Sequence, residues 1–190
     1  MRKVYSEPHI DTVGAEITKD GMFVLPGMKL QMESHNSDEP YAVLWYVVPL
    51  LPLPIGRISD HETPGFWVTL VLDPEGEDFS LDLRLVTLEL KGEKYFLSSF
   101  RGPVGSYGGW RGVCDNPSTS PPRSVKTFFV KPLPVTEWSC FLMKFDSPAP
   151  PPEQTFIINV NGIFKAGKPF IVPPLQFQKN TGWRMERVLW

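Results

Sequence analysis

An all-β fold follows from three features of the sequence. Twenty-one prolines and 15 glycines stand against four alanines, Ala15, Ala42, Ala149 and Ala166. Proline costs about 3 kcal/mol inside a helix, where alanine is the best former, so long helices are excluded. Seventeen valines and 24 aromatic residues favour a pleated, half-buried surface instead. The apolar residues come in short runs separated by turn-formers, which is the spacing of strands. Leu, Ile, Val and Phe together make 56 of 190 residues, enough for a packed core in one domain spanning 1–190.

Residues 1–12, with Pro8, read as an irregular arm, and Val13 to Thr18 as a first short strand closed by the Lys19-Asp20-Gly21 turn. Met28, Leu30 and Met32 alternate with Lys29, Gln31 and Glu33, a period of two that puts one apolar face on a half-exposed strand. A polar turn, His35 to Pro40, leads to the continuous apolar run Tyr41 to Val48, expected to be a strand covered on both faces. Pro49, Pro52 and Pro54 then remove three backbone donors, so Pro49 to Ile55 should run extended over an edge. Leu50, Leu51 and Leu53 within it are too apolar to be left uncovered in water and are the candidate interface residues.

Phe66 to Leu72 is the next strand, followed by the acidic turn Asp73 to Asp78. Phe79, Leu81, Leu83 and Leu85 then alternate, but from Val86 the apolar phase slips by one residue, to Val86, Leu88 and Leu90. Such a slip marks a bulge or a bend where the chain changes sheets. Tyr95 to Phe100 follows the Lys91-Gly92-Glu93 turn, and 101–123 reads as a long loop with five glycines and four prolines. Val125 to Val130 and Trp138 to Phe145 are further strands, and Ser147 to Glu153 is a proline-rich extended connector within the domain. Phe156 to Val160, Ile163-Phe164, Phe170 to Val172 and Leu175 to Phe177 complete nine or ten strands. That number suits an antiparallel β-sandwich with immunoglobulin-like or jelly-roll-like Greek-key links, with a flattened barrel as the alternative. The edge-blocking prolines favour the sandwich, because a closed barrel has no edges to block.

Nineteen basic and 21 acidic residues leave a net charge of −2, without the cationic excess of a nucleic-acid binder. The 15-residue apolar stretch Tyr41 to Ile55 contains three prolines and falls short of the ~20 residues a membrane helix needs. Met1 to Tyr5 is basic, but polar residues follow it instead of the apolar segment of a signal peptide. An exported or envelope-associated location is nonetheless expected from the proline-rich composition and the prospect of one disulfide. A signal or lipid-attachment segment upstream would then supply export and a peripheral membrane tether. Cys114 and Cys140 would close a 27-residue segment and stabilise by about 3.5 kcal/mol if bridged. Two buried thiols acting as small hydrophobes are the other reading.

Catalytic signals are weak. His9, His35 and His61 fall in predicted loops without metal-ligand spacing, so neither a metal nor a cofactor is expected. Asp60-His61-Glu62 has an acid on each side of an imidazole, but no Gly-x-Ser-x-Gly elbow supplies a nucleophile. The acids of Asp73 to Asp78 lack the ligand spacing of a calcium loop. Glu89, Glu93 and Glu137 could furnish a carboxylate pair only if the fold brings them together. The segment Gly102 to Val113 carries more information: glycines keep the backbone bare around Tyr107, Trp110 and Arg111, an arrangement suited to stacking on a sugar ring or a partner surface. The expectation is a non-enzymatic β-sandwich that contacts a protein or glycan surface through this loop and the leucine-proline segment. A carbohydrate-binding module using the loop aromatics is the alternative, and a small hydrolase with a carboxylate pair the next.

Overall fold

The computed structural model describes residues 2–10, 16–19, 21–36, 38–42, 54–59, 65–105, 122–125 and 131–183. Strand dominates them. In chain order the strands are β1 (Arg2–Ile10), β2 (Glu16–Ile17), β3 (Phe23–Leu25), β4 (Met28–His35), β5 (Asp38–Ala42) and β6 (Pro54–Ser59). Next come β7 (Phe66–Pro74), β8 (Phe79–Leu81), β9 (Val86–Leu90), β10 (Glu93–Gly105), β11 (Arg123–Ser124) and β12 (Leu133–Val135). The last are β13 (Ser139–Phe145), β14 (Phe156–Val160), β15 (Ile163–Lys165), β16 (Lys168–Pro169) and β17 (Leu175–Trp183). No helix among them is long and apolar enough to cross a membrane.

One strongly curled sheet runs β2-β3-β4-β7-β13-β10-β9-β14-β17-β1-β5-β6, with β11 beside β10, and a smaller sheet runs β12-β8-β15-β16. All the pairings are antiparallel. The curl has a local cause in β10. Its first residues, Glu93 to Phe96, pair with β9, whereas Leu97 to Gly105 pair with β13, with register shifts at Leu97/Ser99 and Arg101/Val104. Bulges of this kind bend a strand and increase its twist, so β10 serves two layers. We call β2-β3-β4-β7-β13 with the second half of β10 the front layer, and β9-β14-β17-β1-β5-β6 with its first half the back layer.

The core fills the space between them. Phe66 of β7 meets Phe156 of β14 edge to face at 5.3 Å, and Phe156 stacks on Phe177 of β17 at 4.6 Å. Met28, Leu30 and Met32 of β4 and Phe66, Val68, Leu70 and Leu72 of β7 point inward and are buried, as their alternation requires. The side of the sandwich opposite β10 is joined by polar groups. Ser34 Oγ of β4 donates to the Ser6 carbonyl of β1 at 3.1 Å, and Asn36 Nδ2 donates to Ser6 Oγ at 2.8 Å and to the Pro150 carbonyl at 3.0 Å. The Ser147 to Glu153 connector therefore packs as part of the same body, its Pro150 carbonyl accepting from the buried Asn36 and its Pro152 carbonyl from Ser6 Oγ at 3.5 Å.

The expected all-β sandwich is the observed architecture, and the phase slip at Leu85/Val86 is a change of sheet. β8 belongs to the smaller sheet and β9 to the larger, with a single 3-10 turn, Leu83–Leu85, between them. The partner segment bends at the same level: β14 pairs with β9, β15 pairs with β8, and Asn161-Gly162 lies between. The Asp82 N–H donates to the Gly162 carbonyl at 2.7 Å and locks the two bends together.

Several local expectations need correction. Residues 2–10 are not an irregular arm but strand β1, paired with β17 from Arg2↔Trp183 to Ile10↔Leu175. Pro8 is tolerated because, among the described residues, β5 meets β1 only at Val4↔Asp38, away from Pro8. Strand β5 begins at Asp38, inside the expected polar turn, while 43–53 lies outside the described residues. Of the expected loop 101–123, Arg101 to Gly105 belong to β10 and Arg123 to β11, while 106–121 lies outside the described residues. Phe170 to Val172 forms no strand: Pro169, Pro173 and Pro174 flank it and remove ladder donors. Of the predicted strand Val125 to Val130, 126–130 lies outside the described residues.

Candidate functional site

The outer face of the front layer is built by strand parity. With Phe66, Val68, Leu70 and Leu72 turned inward, Trp67, Thr69 and Val71 must face outward. Register then sets their neighbours. Trp67 lies between His35 of β4 and Lys144 of β13, Thr69 between Glu33 and Leu142, and Val71 between Gln31 and Cys140. On the next strand Arg101 of β10 stands opposite Leu142.

Two cations converge on one indole. Lys144 Nζ lies 5.6 Å and the Arg101 guanidinium carbon 5.7 Å from the Trp67 ring, each within cation–π range. Gly65 opens the space for the lysine: it has φ +84, and the Lys144 stem occupies the place where a side chain at 65 would stand, with Cδ at 3.3 Å and Nζ at 3.0 Å from the Cβ position. His35 Nε2 and Thr69 Oγ1 are hydrogen-bonded at 2.8 Å. Trp67, Arg101, Lys144 and His35 are all half-buried, so each keeps an accessible edge beside an anchored stem.

Higher on the same face, Met22, Val71 and Cys140 are buried and Trp138 packs against them, a small apolar cluster outside the main core. Cys140 is disulfide-bonded, and no free cysteine occurs among the described residues. Cys114 lies outside the described residues, as do Tyr107, Trp110 and Arg111, the interface candidates Leu50, Leu51 and Leu53, and Asp60, His61 and Glu62.

His9 and His35 sit in β1 and β4, not in loops, because both positions are held by long strand pairings. No group of three or more His, Cys, Asp or Glu able to hold a metal occurs among the described residues. Glu89 accepts from Asn159 Nδ2 at 2.9 Å, Glu93 accepts from the Tyr95 hydroxyl at 2.5 Å and raises that phenol above its ordinary pKa, and Glu137 is exposed. Asp82 is buried and held below the usual carboxylate range by the Arg84 side chain, whose Nε lies at 2.9 Å. Its carboxylate also accepts from the Arg84 N–H at 3.0 Å, capping the 3-10 turn, so its role is structural.

Trp67, Arg101 and Lys144 are not among the candidates read from the sequence, and His35 is there only as a loop histidine. The signal for Trp67 was present, since a tryptophan between Phe66 and Val68 in an alternating strand must point away from the core. Comparison with family models, with curated proteins and with solved structures found no match.

Proposed function

We propose that the chain is a non-enzymatic, exported or envelope-associated β-sandwich whose outer front face holds a glycan. The observation that carries this reading is Trp67, an indole facing outward on a sheet face with Lys144 and Arg101 about it. A flat ring on a rigid sheet gives contact area at small entropic cost, and flanking donors fix orientation.

The disulfide supports both halves of the proposal. A bonded Cys140 favours an oxidising compartment. In a chain with two cysteines the partner of an intramolecular bridge is Cys114, and Trp110 precedes Cys114 by four residues. Four residues span at most about 14 Å, so that bridge would keep Trp110 near the face that carries Cys140, Trp138 and Trp67. The loop aromatics Tyr107 and Trp110, with Arg111, would then extend the sheet platform. A protein partner seated on Leu50, Leu51 and Leu53 is the competing role for the leucine-proline segment.

A panel of immobilised glycans tests the reading. The wild-type chain should retain at least one class of glycan, and Trp67→Ala should lose it while keeping its β-rich circular dichroism. Failure of the wild-type chain to bind any glycan would overturn the proposal, as would binding that Trp67→Ala leaves intact.

A further inference from the structure

Four asparagines lie among the described residues, and the fold leaves the amide of one of them free. Asn36 is tied to Ser6, Ser34 and Pro150, Asn159 donates to Glu89, and Asn180 donates to Glu7 while accepting from the Thr181 N–H. Asn161, in the bend between β14 and β15, is exposed, and its amide has no hydrogen-bond partner among the described residues. The other three precede serine, valine and threonine, whereas Asn161 precedes Gly162 in the chain's one Asn-Gly pair. Glycine puts no side chain beside the backbone nitrogen that follows the asparagine. That nitrogen is the nucleophile by which an asparagine amide is lost.

We infer that Asn161 is a site of spontaneous deamidation gated by the paired bends. In the reaction the Gly162 nitrogen gives up its proton to solvent and bonds to Asn161 Cγ, the Cγ–Nδ2 bond breaks, and Nδ2 leaves as ammonia. Water then opens the cyclic imide at either carbonyl, giving aspartate or isoaspartate, so one water is consumed for each ammonia released. Ring closure needs a ψ at Asn161 outside both the α and β regions in which folded residues sit. Reaching it swings the Gly162 peptide, and that peptide is held: its carbonyl accepts from the Asp82 N–H at 2.7 Å, and the Asp82 carbonyl carbon lies 2.9 Å from the place of a Cβ at 162. The amide is thus available while the backbone is locked, and reaction waits for the bends to part. Isoaspartate carries the main chain through the former side chain and lengthens it by one methylene. The added length falls between β14, registered on β9, and β15, registered on β8, so the bends cannot close again on both registers. This inference is independent of what the front face holds.

The test follows the asparagines of the whole chain by peptide mapping with mass spectrometry during incubation at mildly alkaline pH, folded and in urea. Among Asn36, Asn159, Asn161 and Asn180, conversion in the folded chain should be confined to Asn161. It should be about tenfold slower there than in urea, the factor set by an opening that breaks one buried hydrogen bond. Asp82→Ala removes the carboxylate that caps the 3-10 turn through the Arg84 N–H, and should speed conversion in the folded chain about fivefold without changing the rate in urea. Hydrogen exchange at the amide of residue 82 should lose its protection in chains carrying isoaspartate. Equal rates for the folded wild type and the chain in urea overturn the gate, and this comparison decides even where Asp82→Ala fails to fold. A folded Asp82→Ala that converts at the wild-type rate also overturns it. Conversion at Asn36, Asn159 or Asn180 as fast as at Asn161, or none at Asn161 in either state, overturns the site. Isoaspartate chains with full protection at residue 82 overturn the claim that the bends stay open.

Discussion

Gly162 is the position where the smallest change should cost the most. It lies where β14 leaves the larger sheet for the smaller one, beside the bend between β8 and β9. Its φ is not left-handed, so alanine is not excluded by backbone conformation. Close approach excludes it instead. A Cβ at 162 would sit 2.9 Å from the Asp82 carbonyl carbon, closer still to its oxygen, and 3.4 Å from Leu85 Cβ. The obstacle is main chain, fixed by the Leu85 N–H donating to the Asp82 carbonyl at 3.1 Å and by Asp82 N–H donating to Gly162 at 2.7 Å. Relieving the overlap must push the two bends apart.

Overpacking of this kind costs about 1–3 kcal/mol. Lengthening the Asp82 to Gly162 hydrogen bond, which joins two buried residues, adds about 1 kcal/mol. Gly162→Ala should therefore destabilise by about 2–4 kcal/mol, read from urea unfolding followed by tryptophan fluorescence. Gly167→Ala is the control. Gly167 has φ +74 but nothing within 4 Å of its Cβ position, so it carries conformational strain without a clash. Left-handed strain of about 1–2 kcal/mol, less the entropy alanine removes from the unfolded chain, leaves about 1 kcal/mol for the control. A loss at Gly162→Ala no larger than at Gly167→Ala would refute the claim that the paired bends are locked by close contact.

Other outcomes follow from the same geometry. Phe156→Ala should cost about 3–5 kcal/mol, because its ring meets both Phe66 and Phe177, and calorimetry would show the midpoint fall. Asn36→Ala should cost about 2 kcal/mol or more by leaving buried Ser6 and Pro150 acceptors short of a donor, whereas Asn36→Asp should be worse at neutral pH than at pH 3, where a carboxyl can donate. Asp82 has a lowered pKa in the folded state, so its charge stabilises above the unfolded-state value of about 3.9, and that contribution is lost as pH falls through the folded value; Asp82→Asn should flatten this acid limb of the urea midpoint. Thiol titration of the unfolded chain should find no reactive cysteine before reduction, and reduction should destabilise by about 3.5 kcal/mol if Cys114 closes the 27-residue segment with Cys140.

The legibility of this protein in its sequence tracks the range of the interaction that decides each part. Period-two alternation in Met28 to Ser34, Phe66 to Leu72 and Phe156 to Val160 reports only which face is buried, and those strands formed where the alternation placed them. The slip at Leu85/Val86 was equally local, because a bend must reverse the parity of the residues beyond it. Strand β1 was not legible, since Arg2 to Ile10 has little alternation and owes its conformation to a partner more than 160 residues away.

The same distinction divides the candidate site. Parity alone turns Trp67, Leu142 and Lys144 outward, and so exposes an indole and an ammonium to the same side of two strands. Their meeting depends on strand order, which brings β7 beside β13 and β13 beside β10, although the sequence separates Trp67 from Lys144 by several intervening strands. Arg101 adds a further condition, because the register shift just beyond it in β10 sets how that strand continues along β13. A cation–aromatic face assembled from three non-consecutive strands leaves no spacing motif in the chain. It is found by asking which large side chains the buried face cannot accommodate, and then which of them the sheet makes neighbours.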